Sequence, residues 1–70
     1  MTNPLTGRIL KALRDYPLPL TAAGIADELD IPTHNLPVHQ MCRDGLIEVA
    51  GVIDGYCSWE LTEKGKEQAK

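Results

Sequence analysis

The sequence predicts a small α+β domain in which three helices come first and a β-hairpin follows, all sharing one apolar core. Three observations carry this. Apolar residues recur at helical spacing over 4–15 and again over 22–30. The stretch TAAGIADELDIPTHNLPVHQMCRDGL, Thr21 to Leu46, reads as a helix, a tight turn and a second short helix closed by a glycine. From Leu46 onward, strand-type residues flank Asp54-Gly55, a pair suited to a hairpin turn.

Seventy residues make a single domain, 1–70, near the size at which one apolar core is barely sufficient, so a homodimer is compatible with it. Hydrophobic residues make up 43% of the chain, yet its only aromatics are Tyr16, Tyr56 and Trp59. The core must therefore be built of Leu, Ile, Val and Ala. Net charge is −3 and the sequence pI about 5.1, the opposite sign to a generic nucleic-acid binder. Any contact with nucleic acid must come from local patches.

No apolar run approaches the ~20 residues that span a bilayer. Cys42 and Cys57 are too few for a disulfide framework, and nothing resembling a signal peptide precedes them. The expectation is a cytoplasmic protein with reduced thiols. No nucleophile–base set and no glycine-rich phosphate loop is visible, so neither an enzyme nor a cofactor or small-molecule ligand is expected. His34, His39, Cys42 and Cys57 lack the paired spacing of metal ligands, and no metal site is expected.

Helix 1 is predicted over about 4–15. Asn3 serves as cap and Pro4 as first helical residue, where a missing amide proton costs nothing. Leu5, Ile9, Ala12 and Leu13 share one face; Arg8, Lys11 and Arg14 share the other. Pro17 and Pro19 stop the helix, and the PLPL link could supply a third strand around 18–20, paired with the hairpin's edge. Thr21 caps helix 2, about 22–30, whose inner stripe is Ala22, Ile25, Ala26 and Leu29. Pro37 belongs in a first helical turn, which starts helix 3 near 35 and runs it to 44, with Val38, Met41 and Cys42 facing inward. Gly45 ends it. The hairpin covers about 46–61, with AGVIDG as its turn region. Trp59 is a packing residue, and Thr62 caps a polar tail over 62–70 that forms at most a short fourth helix.

This order is the plan of a winged helix-turn-helix domain, and three segments carry a family resemblance. LTAAGIADELDIP resembles the second helix and turn of bacterial and phage winged helix regulators. RDGLIE is similar to the passage from their recognition helix into the first wing strand, and SWELTEKGKE to their exit from the wing. Pro37 departs from the pattern, standing where a helical residue is usual. The resemblance implies a small transcriptional regulator, of the kind frequent on phages and plasmids, with helix 3 in the major groove of duplex DNA and the wing against the backbone or minor groove.

On that reading Thr33, His34, Asn35, His39, Gln40 and Arg43 reach base edges. Asn and Gln suit adenine, and Arg suits guanine. Arg8, Lys11 and Arg14 would meet phosphates. Helix 2 instead presents Asp27, Glu28 and Asp30, and the wing tip carries no cation. A second expectation follows: a wing that holds a protein partner or another copy of itself through Leu36, Val52 and Ile53.

Overall fold

The computed structural model describes residues 4–16 and 18–69. The expected cap at Asn3 and stop at Pro17 lie outside the described residues. The elements are α1 (Pro4–Asp15), β1 (Leu20–Thr21), α2 (Ala22–Leu29), a 3₁₀ turn (Thr33–Asn35), α3 (Val38–Arg43), β2 (Ile47–Ile53), β3 (Tyr56–Leu61) and α4 (Glu63–Gln68). The three strands form one antiparallel sheet in the order β1-β3-β2, giving the winged helix-turn-helix fold. The third strand lies at Leu20–Thr21, with Leu20 opposite Trp59 and Thr21 opposite Ser58; Leu18 is exposed.

Helix α1 packs against α2, β3 and α4. Its buried residues are Thr6, Ile9, Leu10 and Leu13, a band as wide as the predicted face but rotated about the helix axis; Leu10 joins the core while Leu5 and Ala12 are only half-buried. The centre of the core is Ile9, Ile25, Met41 and Ile47, each almost fully enclosed, with Trp59 and Leu46 around them.

Helix α2 starts at Thr21, whose hydroxyl accepts the Gly24 N–H at 3.2 Å. It ends at Asp30, which adopts a left-handed conformation (φ 56°). The Ile31 N–H reaches Ala26 O at 3.1 Å and the Asp30 N–H reaches Asp27 O at 3.3 Å, the paired bonds of a Schellman ending. Glycine or asparagine suits such a position better, and a carboxylate at a helix C-terminus opposes the dipole. Asp30→Asn is expected to stabilise the domain by ~0.3–1 kcal/mol, read as a raised thermal midpoint. A lowered midpoint would show that the Asp30 charge has a favourable partner.

The helix expected over 35–44 is shorter. Thr33–Asn35 form a separate 3₁₀ turn, Leu36 is extended (φ −79°, ψ 125°), and α3 begins only at Val38. Pro37 is the cause, since its ring disfavours a helical conformation in the residue before it. In a helix this short the buried row is Val38 and Met41 alone. Cys42, expected inward, is exposed. Asp44, Gly45 and Leu46 close the helix: Gly45 (φ 78°) donates to Cys42 O at 3.0 Å and Leu46 to Met41 O at 3.0 Å.

The region read as a turn, AGVIDG, is mostly strand. β2 continues to Ile53, and Ala50 is the extra residue of a bulge between Val49, opposite Trp59, and Gly51, opposite Ser58. The turn itself is Asp54-Gly55, both at positive φ (52° and 84°), as a two-residue hairpin of right-handed twist requires. The polar tail forms α4, capped by the Thr62 hydroxyl accepting the Gly65 N–H at 3.1 Å, and Ala69 is buried against the core.

Candidate nucleic-acid interface

Thr33, His34, Asn35, His39, Gln40 and Arg43 are all exposed. They lie on the 3₁₀ turn and on the side of α3 opposite Val38 and Met41, which are buried. His39 and Arg43 are four residues apart and Gln40 and Arg43 three apart, so their side chains neighbour one another on one helix surface. Gln40 Nε2 donates to Asp44 Oδ1 at 3.0 Å, which holds its amide toward the helix C-terminus. Arg43 makes no hydrogen bond or ion pair among the described residues. Cys42, expected inward, shares this exposed surface.

The cations of α1 are partly used inside the fold. Arg8 Nη2 donates to Leu29 O at 3.3 Å, at the C-terminal end of α2. Arg14 Nη1 donates to Ala69 O at the end of α4, while its Nε pairs with Asp15 Oδ1 at 2.9 Å. Two of the three thus sit where helix carbonyls are unsatisfied and the dipole is negative. The Arg14 hydrogen bond holds the Asp15 carboxyl below its ordinary range, partly offset by desolvation. Because the folded value is depressed, whatever the pair contributes is present above the ordinary carboxylate value and lost as pH falls from there through the lower folded value. Lys11 is exposed and makes no such bond among the described residues.

The wing is apolar where a phosphate clamp would be basic. Val52 is 68% exposed, Ile53 48% and Tyr56 71%. Residues 47–61 hold Glu48, Asp54 and Glu60 and no Lys or Arg. Leu36, expected as a third exposed anchor, is instead half-buried against the core because the extended turn before α3 lays it there. Tyr56 was not singled out as an anchor from sequence; its register opposite Ile53 is what brings the two together at the tip. Among the described residues no three of His, Cys, Asp or Glu are grouped to hold a metal ion, and no helix is long and apolar enough to cross a membrane.

No protein-family model matches this sequence, and no curated protein sequence does. Solved structures match it in fold. A glutamate-to-alanine variant of Lactococcus lactis ZitR superposes with a TM-score of 0.83 at 25% identity, covering 99% of this chain and 49% of that one. A cysteine-to-serine variant of the same protein gives 0.81 at 22% identity. A candidate DNA-binding protein from Ralstonia eutropha gives 0.75 at 25% identity, covering 99% of this chain and 94% of that one. The chain therefore spans about half the length of the ZitR structures and nearly all of the Ralstonia protein.

Proposed function

We propose that this chain is a non-enzymatic, cytoplasmic transcriptional regulator that reads duplex DNA with the segment from Thr33 to Arg43. The observation that carries the proposal is the arrangement of that segment. Six polar side chains of base-reading type stand exposed on the 3₁₀ turn and α3, while Val38 and Met41 anchor the same helix to the core. The likeness of nearly the whole chain to a candidate DNA-binding protein supports the same reading. Arg8, Lys11 and Arg14 are the remaining cations before the tail and would supply phosphate contacts, Lys11 most freely.

Titrating isotope-labelled protein with random-sequence duplex DNA at low salt tests this. Amide shifts are expected at 33–43 and around Arg8 and Lys11. Their absence at DNA concentrations above the usual non-specific Kd of ~10⁻⁴ to 10⁻⁶ M would refute the reading. With four cations available before the tail, the salt slope should be about −4 or shallower. At a preferred site, Arg43→Ala is expected to weaken binding by ~1–3 kcal/mol and to relax discrimination at one base pair.

The exposed Val52, Ile53 and Tyr56 favour a second role for the same fold, protein interaction through the wing.

A further inference from the structure

Gln40 stands in the first turn of α3, the part of a recognition helix that brings side chains to base edges. Asp44 lies one turn further on, at the C-terminal cap of the same helix. Gln40 Nε2 donates to Asp44 Oδ1 at 3.0 Å, and both residues are exposed. An ionised carboxylate offers acceptors only, so the amide nitrogen, and not the amide oxygen, must turn toward Asp44. The orientation of the amide, which shape alone leaves open in a glutamine, is thereby fixed. Among the described residues the Asp44 carboxylate has no other partner, and neighbouring Arg43 does not pair with it. The Asp44 main chain is held from both sides: its N–H donates to Gln40 O at 2.9 Å, and its carbonyl accepts Lys64 Nζ at 2.8 Å. The carboxylate is therefore rooted on a fixed backbone.

We propose that Asp44 is a positioning residue that makes Gln40 a reader of adenine, an inference that rests on the DNA reading above. With one amide N–H engaged by Asp44, Gln40 keeps its second N–H and the acceptor Oε1. Adenine sets an acceptor, N7, beside a donor, N6–H₂, on its major-groove edge, and the remaining pair complements it. Guanine shows the two acceptors O6 and N7, which would leave Oε1 facing an acceptor. Thymine offers O4 and a methyl group, and again no donor. Cytosine N4–H₂ satisfies Oε1 but gives the N–H nothing to meet. Without Asp44, a glutamine can turn its amide and donate to guanine or thymine, so it discriminates less. In water a Gln–Asp bond at this spacing is a small bias. Against a base edge it strengthens, because its acceptor is charged and water is excluded.

The test takes the full chain, a duplex selected from a randomised pool, and that duplex's single-base-pair variants, with affinities read by fluorescence anisotropy. Gln40→Ala should abolish discrimination at one A·T pair. Asp44→Ala should lower discrimination at that same pair by at least about threefold. A mere loss of stability would not move this ratio, since it compares two duplexes on one protein. Asp44→Asn keeps an acceptor oxygen and should stay nearer the parent than Asp44→Ala does. Both substitutions remove the same charge, so the difference between them reads the hydrogen bond. In a Gln40→Ala background, Asp44→Ala should reduce discrimination no further. Four results would overturn the proposal while leaving the DNA reading in place: unchanged discrimination in Asp44→Ala, Asp44→Asn no better than Asp44→Ala, an equal loss in both backgrounds, or a pair other than A·T at the Gln40 position. A chain that binds no duplex would instead sink that reading, and the proposal with it.

Discussion

Gly65→Ala is expected to destabilise the domain by about 3 kcal/mol, at the upper end of what an overpacked core position costs. A Cβ built at Gly65 falls 2.0 Å from the carbonyl oxygen of Leu46 and 3.3 Å from Leu61 Cδ2. The first contact is with backbone, which no side-chain rotation relieves. That carbonyl cannot readily retreat, because it accepts the Thr62 N–H at 3.1 Å and follows Gly45, whose carbonyl accepts the Thr62 hydroxyl. Lys64 Nζ holds Asp44 O one residue earlier at 2.8 Å. The start of α4 is thus fastened to the end of α3, and alanine at 65 must separate them. A domain this small has only ~3–5 kcal/mol in total, so ~0–2 kcal/mol should remain and up to about half of the population should be unfolded at room temperature. Gly7→Ala is the matched control. Gly7 lies within α1, where an added Cβ meets nothing within 4 Å, so the same substitution should stabilise by ~0.5–1 kcal/mol through helix propensity alone. Urea unfolding of both variants decides the matter. A Gly65→Ala variant as stable as the parent would mean that α4 does not rest on Leu46.

The role of Gly65 could not be read from the chain, because it depends on a backbone approach between residues 19 positions apart. What could be read were local signals. Thr21, Gly45 and Thr62 are recognisable caps in sequence, and each carries cap hydrogen bonds in the fold. Asp54-Gly55 announces the hairpin by its turn chemistry, and both residues take positive φ. The misreadings share one physical origin: neighbours distant in sequence. Leu10 replaces Ala12 in the core because the elements packed on α1, which are α2, β3 and α4, select a face rotated toward Leu10, and spacing within the helix does not fix that rotation. The third strand expected around 18–20 does pair with β3, but at Leu20–Thr21; two residues have no periodicity, so only the pairing fixes where the strand begins and ends.

The candidate interface was legible in residue type but not in availability. Exposed polar residues around α3 followed from the spacing of Val38 and Met41. Nothing in the sequence shows that Arg8 and Arg14 lie over the C-terminal ends of α2 and α4. A stripe of three cations at helical spacing looks the same whether it awaits phosphate or caps neighbouring helices. Cys42 illustrates the converse. A residue at i+4 from Val38 is inward in a long helix, but α3 has six residues and turns away at Gly45 before a second buried row forms.

Met41→Ala links the two halves of the molecule, and its effect should be felt in both. Met41 is 1% exposed, and beyond its side chain only Val38 of α3 is buried. A six-residue helix has no independent stability in water, so α3 keeps its place through these two residues and its Schellman ending, in which Met41 O accepts the Leu46 N–H. Truncation to alanine should cost ~2–5 kcal/mol, comparable with the whole stability of the domain. Met41→Leu, which preserves volume, should cost less than about 1.5 kcal/mol. If α3 is the reading element, the two variants must also part in DNA affinity: leucine should bind nearly as the parent does, and alanine should lose binding even where added osmolyte restores its folded signal. Osmolytes favour burial without refilling the space left by the side chain, so α3 would be compact yet poorly positioned. An alanine variant that refolds in osmolyte and binds DNA like the parent would detach α3 from recognition while leaving the core assignment intact. A loss of stability below about 1 kcal/mol would instead remove Met41 from the centre of the core, since buried methionine truncations exceed it.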